Sequence, residues 1–272
     1  MSSLTVRASS SSTHVDRTKD STRSDVVSGV IVLDMRKLSP TVKGFTLQVE
    51  DNSLSFKCGQ WVDLSIPSED VVGGYSFTSP PHQLKEQGTV TLAIQTSDHP
   101  PTLWMNNKCK MGDRLLIRVG GDFTYDPPSN SPADILLIGG GVGINPLFAM
   151  LQHHTYLQQA MARTLEQRGR AHLLYSARSR EELLFKDHID GLVVHSSGLI
   201  KANYFVTREE YSGPHIRARR MVEGDVRAAL SLLDTSRLQC YVCGPPLMTE
   251  SVLALLISCG VDRHRVFYEK WW

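Results

Sequence analysis

The fold of this chain is decided by the stretch Leu136-Leu137-Ile138-Gly139-Gly140-Gly141-Val142-Gly143-Ile144-Asn145-Pro146. Its apolar first residues predict a buried strand, and its glycines let the backbone approach an anion closely. Asn145 followed by Pro146 is typical of a helix N-cap and a first helical residue. The stretch therefore predicts a phosphate-binding turn at the N-terminus of a helix.

The spacing of the glycines separates this turn from two common phosphate motifs. Counted from Gly141, the run has Pro146 where the dinucleotide fingerprint G-x-G-x-x-G has its third glycine. A P-loop is excluded because no Gly-Lys-Ser/Thr follows. The alternative is a glycine-rich turn without a ligand, but such flexibility is entropically costly unless something must fit closely.

The chain from residue 134 onward alternates strand and helix patterns. We predict strands at 135–139, 171–177, 201–206, 239–244 and 265–269, and helices at 146–167, 181–189, 223–233 and 246–258. This alternation predicts a parallel sheet covered on both faces. Its ligand crevice lies beyond the carboxyl ends of the strands, where the glycine run and Cys243-Gly244-Pro245-Pro246 both fall.

Residues 26–126 predict a different architecture. Short β-branched or alternating runs at 29–35, 43–50, 61–66, 74–79, 89–96 and 113–120 suggest a small closed antiparallel β-barrel, with one short helix beginning at Pro100-Pro101-Thr102. Residues 127–133 have the composition of a linker. We therefore predict a two-domain chain, with a β-barrel at 26–126 and an α/β nucleotide-binding domain at 134–272.

The first 25 residues are rich in Ser and Thr with scattered Arg and Lys, and we predict that they are disordered. They lack the apolar segment of a secretory signal, which leaves a weak mitochondrial transit peptide or a plain flexible tail. The net charge of +1 gives no indication of nucleic-acid binding, and no apolar stretch approaches the length of a membrane span. The five cysteines predict a reducing compartment without disulfides.

Other chemistries find little support in the sequence. Cys240 and Cys243 have CxxC spacing, but residues i and i+3 of a strand point to opposite faces. No H-E-x-x-H pattern and no second cysteine pair occur, so we expect no metal site. The absence of a G-x-S-x-G elbow leaves a serine hydrolase unsupported.

Four motifs in order carry a family resemblance: the glycine run, Tyr175-Ser176-Ala177-Arg178, Cys243-Gly244-Pro245-Pro246-Leu247-Met248 and Glu269-Lys270-Trp271-Trp272. Together they resemble the ferredoxin–NADP reductase superfamily. The resemblance implies a flavin-binding type of barrel followed by an NAD(P)-binding domain. It also implies electron transfer from NAD(P)H, through FAD, to an unidentified small-molecule or protein acceptor. A mitochondrial location is favoured by the resemblance, with a cytoplasmic one as the alternative.

The resemblance assigns dinucleotide binding to the loop and to the strand ends that face it. These residues are Gly139, Gly140, Gly141, Val142, Gly143, Ile144, Asn145, Ser176, Arg178, Thr207, Arg208, Gly244 and Pro245. Thr207-Arg208 resembles the family's Ser-Arg, which contacts the 2′-phosphate of NADP. No acid that would grip a ribose 2′-hydroxyl stands near Arg178, so we expect a modest preference for NADPH. The alternative is that both arginines are simply solvated.

For flavin, the family pattern R-x-Y-S-x-x-S aligns with Gly73-Gly74-Tyr75-Ser76-Phe77-Thr78-Ser79. The resemblance implies that Tyr75, Ser76 and Ser79 contact the flavin and that Thr102, at a helix start, binds its phosphate. Gly73 replaces the family arginine, so the main cation for that phosphate is missing.

The resemblance also names reacting-centre residues. It implies that Cys243 lies beside the nicotinamide, that Glu269 lies near the reacting atoms, and that Trp271 or Trp272 stacks on the flavin. The alternatives are that Cys243 is a small buried hydrophobe and that the two tryptophans clamp the domains together.

Two functions follow from these observations. The first is an NAD(P)H-dependent, flavin-mediated oxidoreductase, favoured by Tyr75, Ser76, Cys243, Glu269 and the terminal tryptophans. The second is a non-catalytic dinucleotide-binding module that has lost its flavin, favoured by Gly73.

Overall fold

Two β-sheets organise the chain, and the computed structural model describes residues 13–127, 133–160, 168–213 and 215–270. The first sheet has six antiparallel strands, and the second has seven strands that are mainly parallel. The predicted fold class, an antiparallel β-domain followed by a parallel α/β domain, is confirmed. Most of the predicted linker at 127–133 lies outside the described residues.

The first sheet is a curled half-barrel with its strands in the order β4-β3-β6-β1-β2-β5. These strands are β1 (Arg23–Lys37), β2 (Val42–Val49), β3 (Trp61–Ile66), β4 (Val71–Ser76), β5 (Thr89–Gln95) and β6 (Arg114–Gly120). Alternate residues of β3, such as Val62 and Leu64, point into the core. The outermost strands β4 and β5 meet at an isolated bridge between Phe77 and Leu92. The sheet is therefore open at this seam rather than closed.

The N-terminal segment corrects one prediction, because residues 13–25 are ordered. They form helix α1 (His14–Arg17) and the start of β1. The His14 side chain is almost fully buried, and its Nε2 lies 2.8 Å from Oδ1 of Asp63. Arg23 Nε donates to Oδ2 of the same carboxylate at 2.7 Å. Disorder was predicted from average composition, which does not register a few residues that dock individually. The mitochondrial location stays a prediction.

Two further helices belong to the first domain: α2 (Pro81–Gln87), which the sequence pattern did not indicate, and α3 (Pro100–Asn107). The second domain contains β7 (Asp134–Gly140), α4 (Ile144–Ala160), β8 (Ala171–Ala177), α5 (Lys186–His195), β9 (Ile200–Val206), β10 (Ser212–Gly213), β11 (Ile216–Arg217), α6 (Glu223–Leu230), β12 (Leu238–Cys243), α7 (Pro246–Ser258) and β13 (Val266–Glu269). The helix predicted at 181–189 forms later, as α5. Helix α4 accounts for the predicted 146–167 helix up to residue 160. Residues 161–167 lie outside the described residues.

The second sheet has the order β10-β11-β9-β8-β7-β12-β13. Strand β7 is buried along its whole length, and the chain continues to β8 on one side of it and later returns to β12 on the other. Where the chain leaves a strand toward one side of a parallel sheet and later returns on the other side, a crevice opens beyond the carboxyl ends of the strands. The glycine loop that follows β7 lies at this point.

One apolar core is shared by the two domains. It joins Cys58, Ala93 and Tyr125 of the first domain to Leu147 and Phe148 of α4. This shared core fixes the half-barrel seam relative to the glycine loop. No helix among the described residues is both long and apolar enough to cross a membrane.

Candidate functional site

A cavity of about 830 Å³ lies between the half-barrel seam and the carboxyl ends of β7 and β12. Its first-domain wall consists of residues from β4, from β5 and from the segment after β5. The second-domain wall is formed by the glycine loop, the ends of β8 and β9, and the first turns of α7. Both walls are needed to enclose it, so the cavity is a property of the two-domain arrangement.

The structure brings thirteen of the predicted site residues into this one cavity. They are Tyr75, Ser76, Gly141, Val142, Gly143, Asn145, Ser176, Arg178, Thr207, Arg208, Cys243, Gly244 and Pro245. Sequence reasoning missed Ile94, Gln95 and Thr96, because their place on the wall depends on which edge of β5 stays open. It also missed Arg220, although the basic run Arg217-Ala218-Arg219-Arg220 was a visible signal.

Six predicted residues lie outside the cavity lining: Gly139, Gly140, Ile144, Ser79, Thr102 and Glu269. Gly139 and Gly140 end the buried strand β7, and Ile144 is fully buried under the loop. The Ser79 hydroxyl accepts a hydrogen bond from the Thr91 amide at 2.9 Å, which assigns it a structural role. Trp271 and Trp272 lie outside the described residues.

The glycines of the loop serve different purposes. Gly141 has φ = 55° and an empty space where a side chain would stand. A Cβ at Gly143 would instead collide with the main chain of Cys243, and one at Gly140 with the sulfur of Met248. Gly141 therefore leaves the cavity open, whereas Gly140 and Gly143 let the loop pack against the start of α7 and the end of β12.

Asn145 does not cap α4 as predicted. A 3₁₀ turn at Gly141–Gly143 runs into the helix, so Asn145 lies within its first turn. Its Nδ2 donates to the carbonyl oxygen of Ala93 at 2.8 Å, across the domain junction. Its Oδ1 is buried without a hydrogen-bond partner among the described residues. Asn145 thus connects the glycine loop to strand β5.

One end of the cavity is positively charged. Arg178, Arg208 and Arg220 line it, and no Asp or Glu belongs to the described lining. Two acids nearby in sequence are engaged elsewhere: Glu209 binds Arg180, and Asp225 accepts from Arg219 at 2.6 Å. Three cations without a lining acid make this end suited to a phosphate group.

Cys243 closes β12 at the cavity wall, next to Glu269 on β13 in the parallel register. Burial, followed by the negative charge of Glu269, raises the pKa of the Cys243 thiol well above its usual range. The side chain is therefore a neutral thiol rather than a thiolate. Cys240 belongs to the core on the opposite face of the sheet, as the strand periodicity predicts.

Tyr75 and Ser76 of β4 both line the cavity on the half-barrel side. Burial raises the pKa of Tyr75 to about 12, so its hydroxyl group stays neutral. A tyrosine ring can stack on a planar heterocycle, and a serine hydroxyl group can hydrogen-bond to one.

The residues present do not fit the phosphate of a resident flavin. The Tyr75 ring fills the space of a side chain at Gly73, and its hydroxyl group lies 3.1 Å from that of Thr102. Pro100 and Pro101 occupy the first two positions of α3, where neither has an N–H to offer an anion. The groups that the resemblance assigned to the phosphate are thus absent or bonded to each other.

The oxidoreductase NAD-binding domain family matches residues 137–253. "Oxidoreductase NAD-binding domain-containing protein 1" of Xenopus tropicalis is 39% identical over 267 residues, which cover 95% of this chain and 84% of the relative. The chain belongs to the oxidoreductase NAD-binding domain family. It therefore contains an oxidoreductase-type NAD-binding domain, as the glycine loop predicted.

Solved structures share the two-domain fold. The FAD/NAD-binding domain of Vibrio cholerae nitric oxide dioxygenase has a TM-score of 0.71 at 21% identity, covering 89% of this chain and 97% of that one. A Neisseria gonorrhoeae ferredoxin NADP⁺ reductase with bound FAD and NADP has a TM-score of 0.70 at 18% identity, covering 89% and 98%. The predicted ferredoxin reductase-like architecture is confirmed.

Proposed function

We propose that this chain is an NAD(P)H-dependent oxidoreductase that passes electrons to an acceptor held on the half-barrel wall. The observation that carries the proposal is the single cavity, which places the Gly141 loop opposite Tyr75 and Ser76. The NAD-binding family match and the fold shared with reductases support it.

The dinucleotide would lie along the second-domain wall. Gly141 offers open space at the start of α4, where a pyrophosphate finds main-chain N–H groups and the positive end of a helix dipole. Cys243 and Pro245 would border the nicotinamide, and their low polarity would exclude water from it. When bound, the dinucleotide supplies a hydride; the chain supplies its position relative to the acceptor.

The positively charged end of the cavity supports NADPH over NADH. The 2′-phosphate would lie among Arg178, Arg208 and Arg220, and Thr207 would add a hydroxyl group. We expect Arg220→Gln to lower the affinity for NADPH about tenfold and the affinity for NADH by less than about twofold, because only NADPH loses a charge-assisted bond. Isothermal calorimetry in low-salt buffer measures both affinities.

Arg263→Gln is the matched control, because Arg263 is exposed and does not belong to the cavity lining. It should leave both affinities unchanged. Tighter binding of NADH than of NADPH by the unmodified chain would contradict the proposed preference.

A second candidate is a non-catalytic dinucleotide-binding module, which Gly73 and the missing phosphate contacts of the half-barrel favour. The two candidates differ in one anaerobic experiment. The oxidoreductase consumes NADPH when flavin, quinone or ferricyanide is added in excess, whereas the module binds NADPH and consumes none. Gly141→Asn, which obstructs the dinucleotide site, should lower NADPH affinity at least about tenfold and lower consumption at limiting NADPH with it.

A further inference from the structure

We infer that the half-barrel wall takes flavin as a dissociable substrate, recognised by its ring system and not by its phosphate groups. This inference rests on the proposed function and specifies the acceptor. A resident flavin prosthetic group, the expectation from the resemblance, is thereby replaced by a flavin that enters, is reduced and leaves.

The first argument is the open edge of β5. The carbonyl oxygen of Thr91 accepts from the main-chain N–H of Thr78, and that of Ala93 accepts from the side-chain amide of Asn145. Thr91 and Ala93 therefore point their main-chain groups away from β2. In an antiparallel ladder this direction alternates, and Gln95 therefore points its N–H and C=O the same way, at the cavity wall. Because the carbonyl oxygens of Thr91 and Ala93 are already occupied, the open part of this edge is the N–H and C=O of Gln95, which can bind a ligand that presents an acceptor beside a donor.

The pyrimidine side of a flavin presents an N–H flanked by carbonyl groups, so its N–H and one neighbouring carbonyl match the C=O and N–H of Gln95. A quinone presents carbonyl groups alone and cannot donate to a main-chain oxygen. Tyr75 and Ser76 of β4, across the seam, line the same cavity and add an aromatic and a hydroxyl residue to this wall. The wall therefore matches the ring of a flavin better than that of a quinone.

The second argument is that phosphate recognition is missing from the same wall. Thr102 is almost fully buried and bonded to Tyr75, and Pro100 and Pro101 remove two main-chain donors. Arg17 of α1 is a cation near this helix start: burial lowers the pKa of His99, and the charge of Arg17 lowers it further. Arg17 is exposed to solvent, and its contribution to phosphate binding is measured with the variant Arg17→Gln.

The reaction balances with the two ligands alone. A hydride leaves C4 of the reduced nicotinamide with both bonding electrons and forms a bond to N5 of the flavin, while a proton from solvent binds at N1. NAD(P)H is oxidised to NAD(P)⁺, and the flavin is reduced to its dihydro form. No further oxidant or reductant is required.

The decisive experiment compares riboflavin, FMN and FAD with the full chain after gel filtration. We expect a colourless protein that binds the three flavins with affinities within about threefold of one another, measured by quenching of flavin fluorescence. Under anaerobic conditions it should bleach a large excess of riboflavin with NADPH, since repeated turnover requires release of the product.

Several results would overturn the inference while leaving the proposed function intact. One is FAD that stays bound in stoichiometric amount through gel filtration; another is FAD binding more than about a hundredfold tighter than riboflavin. A third is reduction of menadione with no binding of riboflavin. Failure to bind NADPH, or to consume it with any of these acceptors, would instead refute the proposed function.

Two variants test the missing phosphate contact directly. Gly73→Arg restores a cation and should tighten FMN about tenfold relative to riboflavin, because the displaced Tyr75 ring is a side chain that can move. Gly191→Arg adds the same charge on α5, where nothing lies nearby, and should change neither flavin. Arg17→Gln should leave the ratio of FMN affinity to riboflavin affinity unchanged. A fall of this affinity ratio to about one-tenth of its original value or below would show an existing phosphate site and contradict the inference.

Discussion

Gly141 and Gly143 are two residues apart and are glycine for different reasons. Gly141 has a left-handed backbone beside open space, and Gly143 lies against the main chain of Cys243. Sequence alone predicted the loop and its ligand class, because a glycine-rich turn after an apolar run is entropically costly unless a ligand must approach the backbone closely. It could not separate the two roles, which depend on where β12 passes.

We predict that Gly141→Asn blocks the dinucleotide without unfolding the chain. Asparagine tolerates a left-handed backbone, so the free energy of unfolding should change by less than about 1 kcal/mol. Its side chain would enter the cavity, and NADPH affinity should fall at least about tenfold. Gly143→Ala is the comparison: overpacking against Cys243 should cost about 1–3 kcal/mol of stability. Urea unfolding and calorimetry measure both quantities, and normal NADPH binding by Gly141→Asn would contradict the assignment.

Cys243 gives a second prediction at this scale. Because its buried thiol has a strongly raised pKa, iodoacetamide at pH 8 should modify it far more slowly than Cys259, which is partly exposed. Peptide mass spectrometry after timed alkylation of the folded chain compares the two. Equal modification rates would show that Cys243 is a reactive thiolate, against the structure.

Among the secondary-structure elements, those with a strong local pattern were predicted closely. The strand predicted at 239–244 forms as Leu238–Cys243, and the helix at 246–258 forms as Pro246–Ser258. Helix α1 was missed because its four residues carry no apolar periodicity and depend on long-range contacts of His14, with Asp63 and with the Trp61 ring. The open edge of β5 was also beyond prediction, since strand order is not a property of any one segment.

The contact of α1 with β3 makes a pH prediction. Burial alone would raise the pKa of Asp63, but hydrogen bonds and charge from His14 and Arg23 outweigh it and hold the pKa below its usual value. Its stabilising contribution is therefore complete above the unfolded pKa of about 3.9 and is lost as the pH falls through the lower folded value.

Asp63→Asn should accordingly destabilise the chain by about 1–3 kcal/mol at pH 7, because two buried donors lose a charged acceptor. The difference between the variant and the unmodified chain should shrink below about pH 4. Urea unfolding at a series of pH values measures it. A difference that stays constant across this range would show that the carboxylate charge is not involved.

At the scale of the whole molecule, the two domains share one apolar core through α4 and Tyr125. The Tyr125 hydroxyl lies 2.8 Å from Nδ1 of His154, which in turn contacts the carbonyl of Gly169. We predict that both domains unfold in one transition, so the calorimetric and van't Hoff enthalpies agree. Tyr125→Phe should lower the free energy of unfolding by about 1–2 kcal/mol and keep a single transition. Two separate transitions would contradict a shared core.

Asn145 reaches from the first turn of α4 to the carbonyl of Ala93, so the two walls of the cavity are mechanically connected. We expect occupancy of one wall to change the affinity of the other, and by thermodynamic linkage the factor is the same in both directions. We expect heterotropic cooperativity between NADPH and the acceptor, abolished in Asn145→Ala while each ligand still binds alone. Titrating either ligand with and without the other measures the factor. At equilibrium the two titrations must give the same factor. A factor of one in the unmodified chain would mean that this hydrogen bond holds the domains together without coupling the two binding sites.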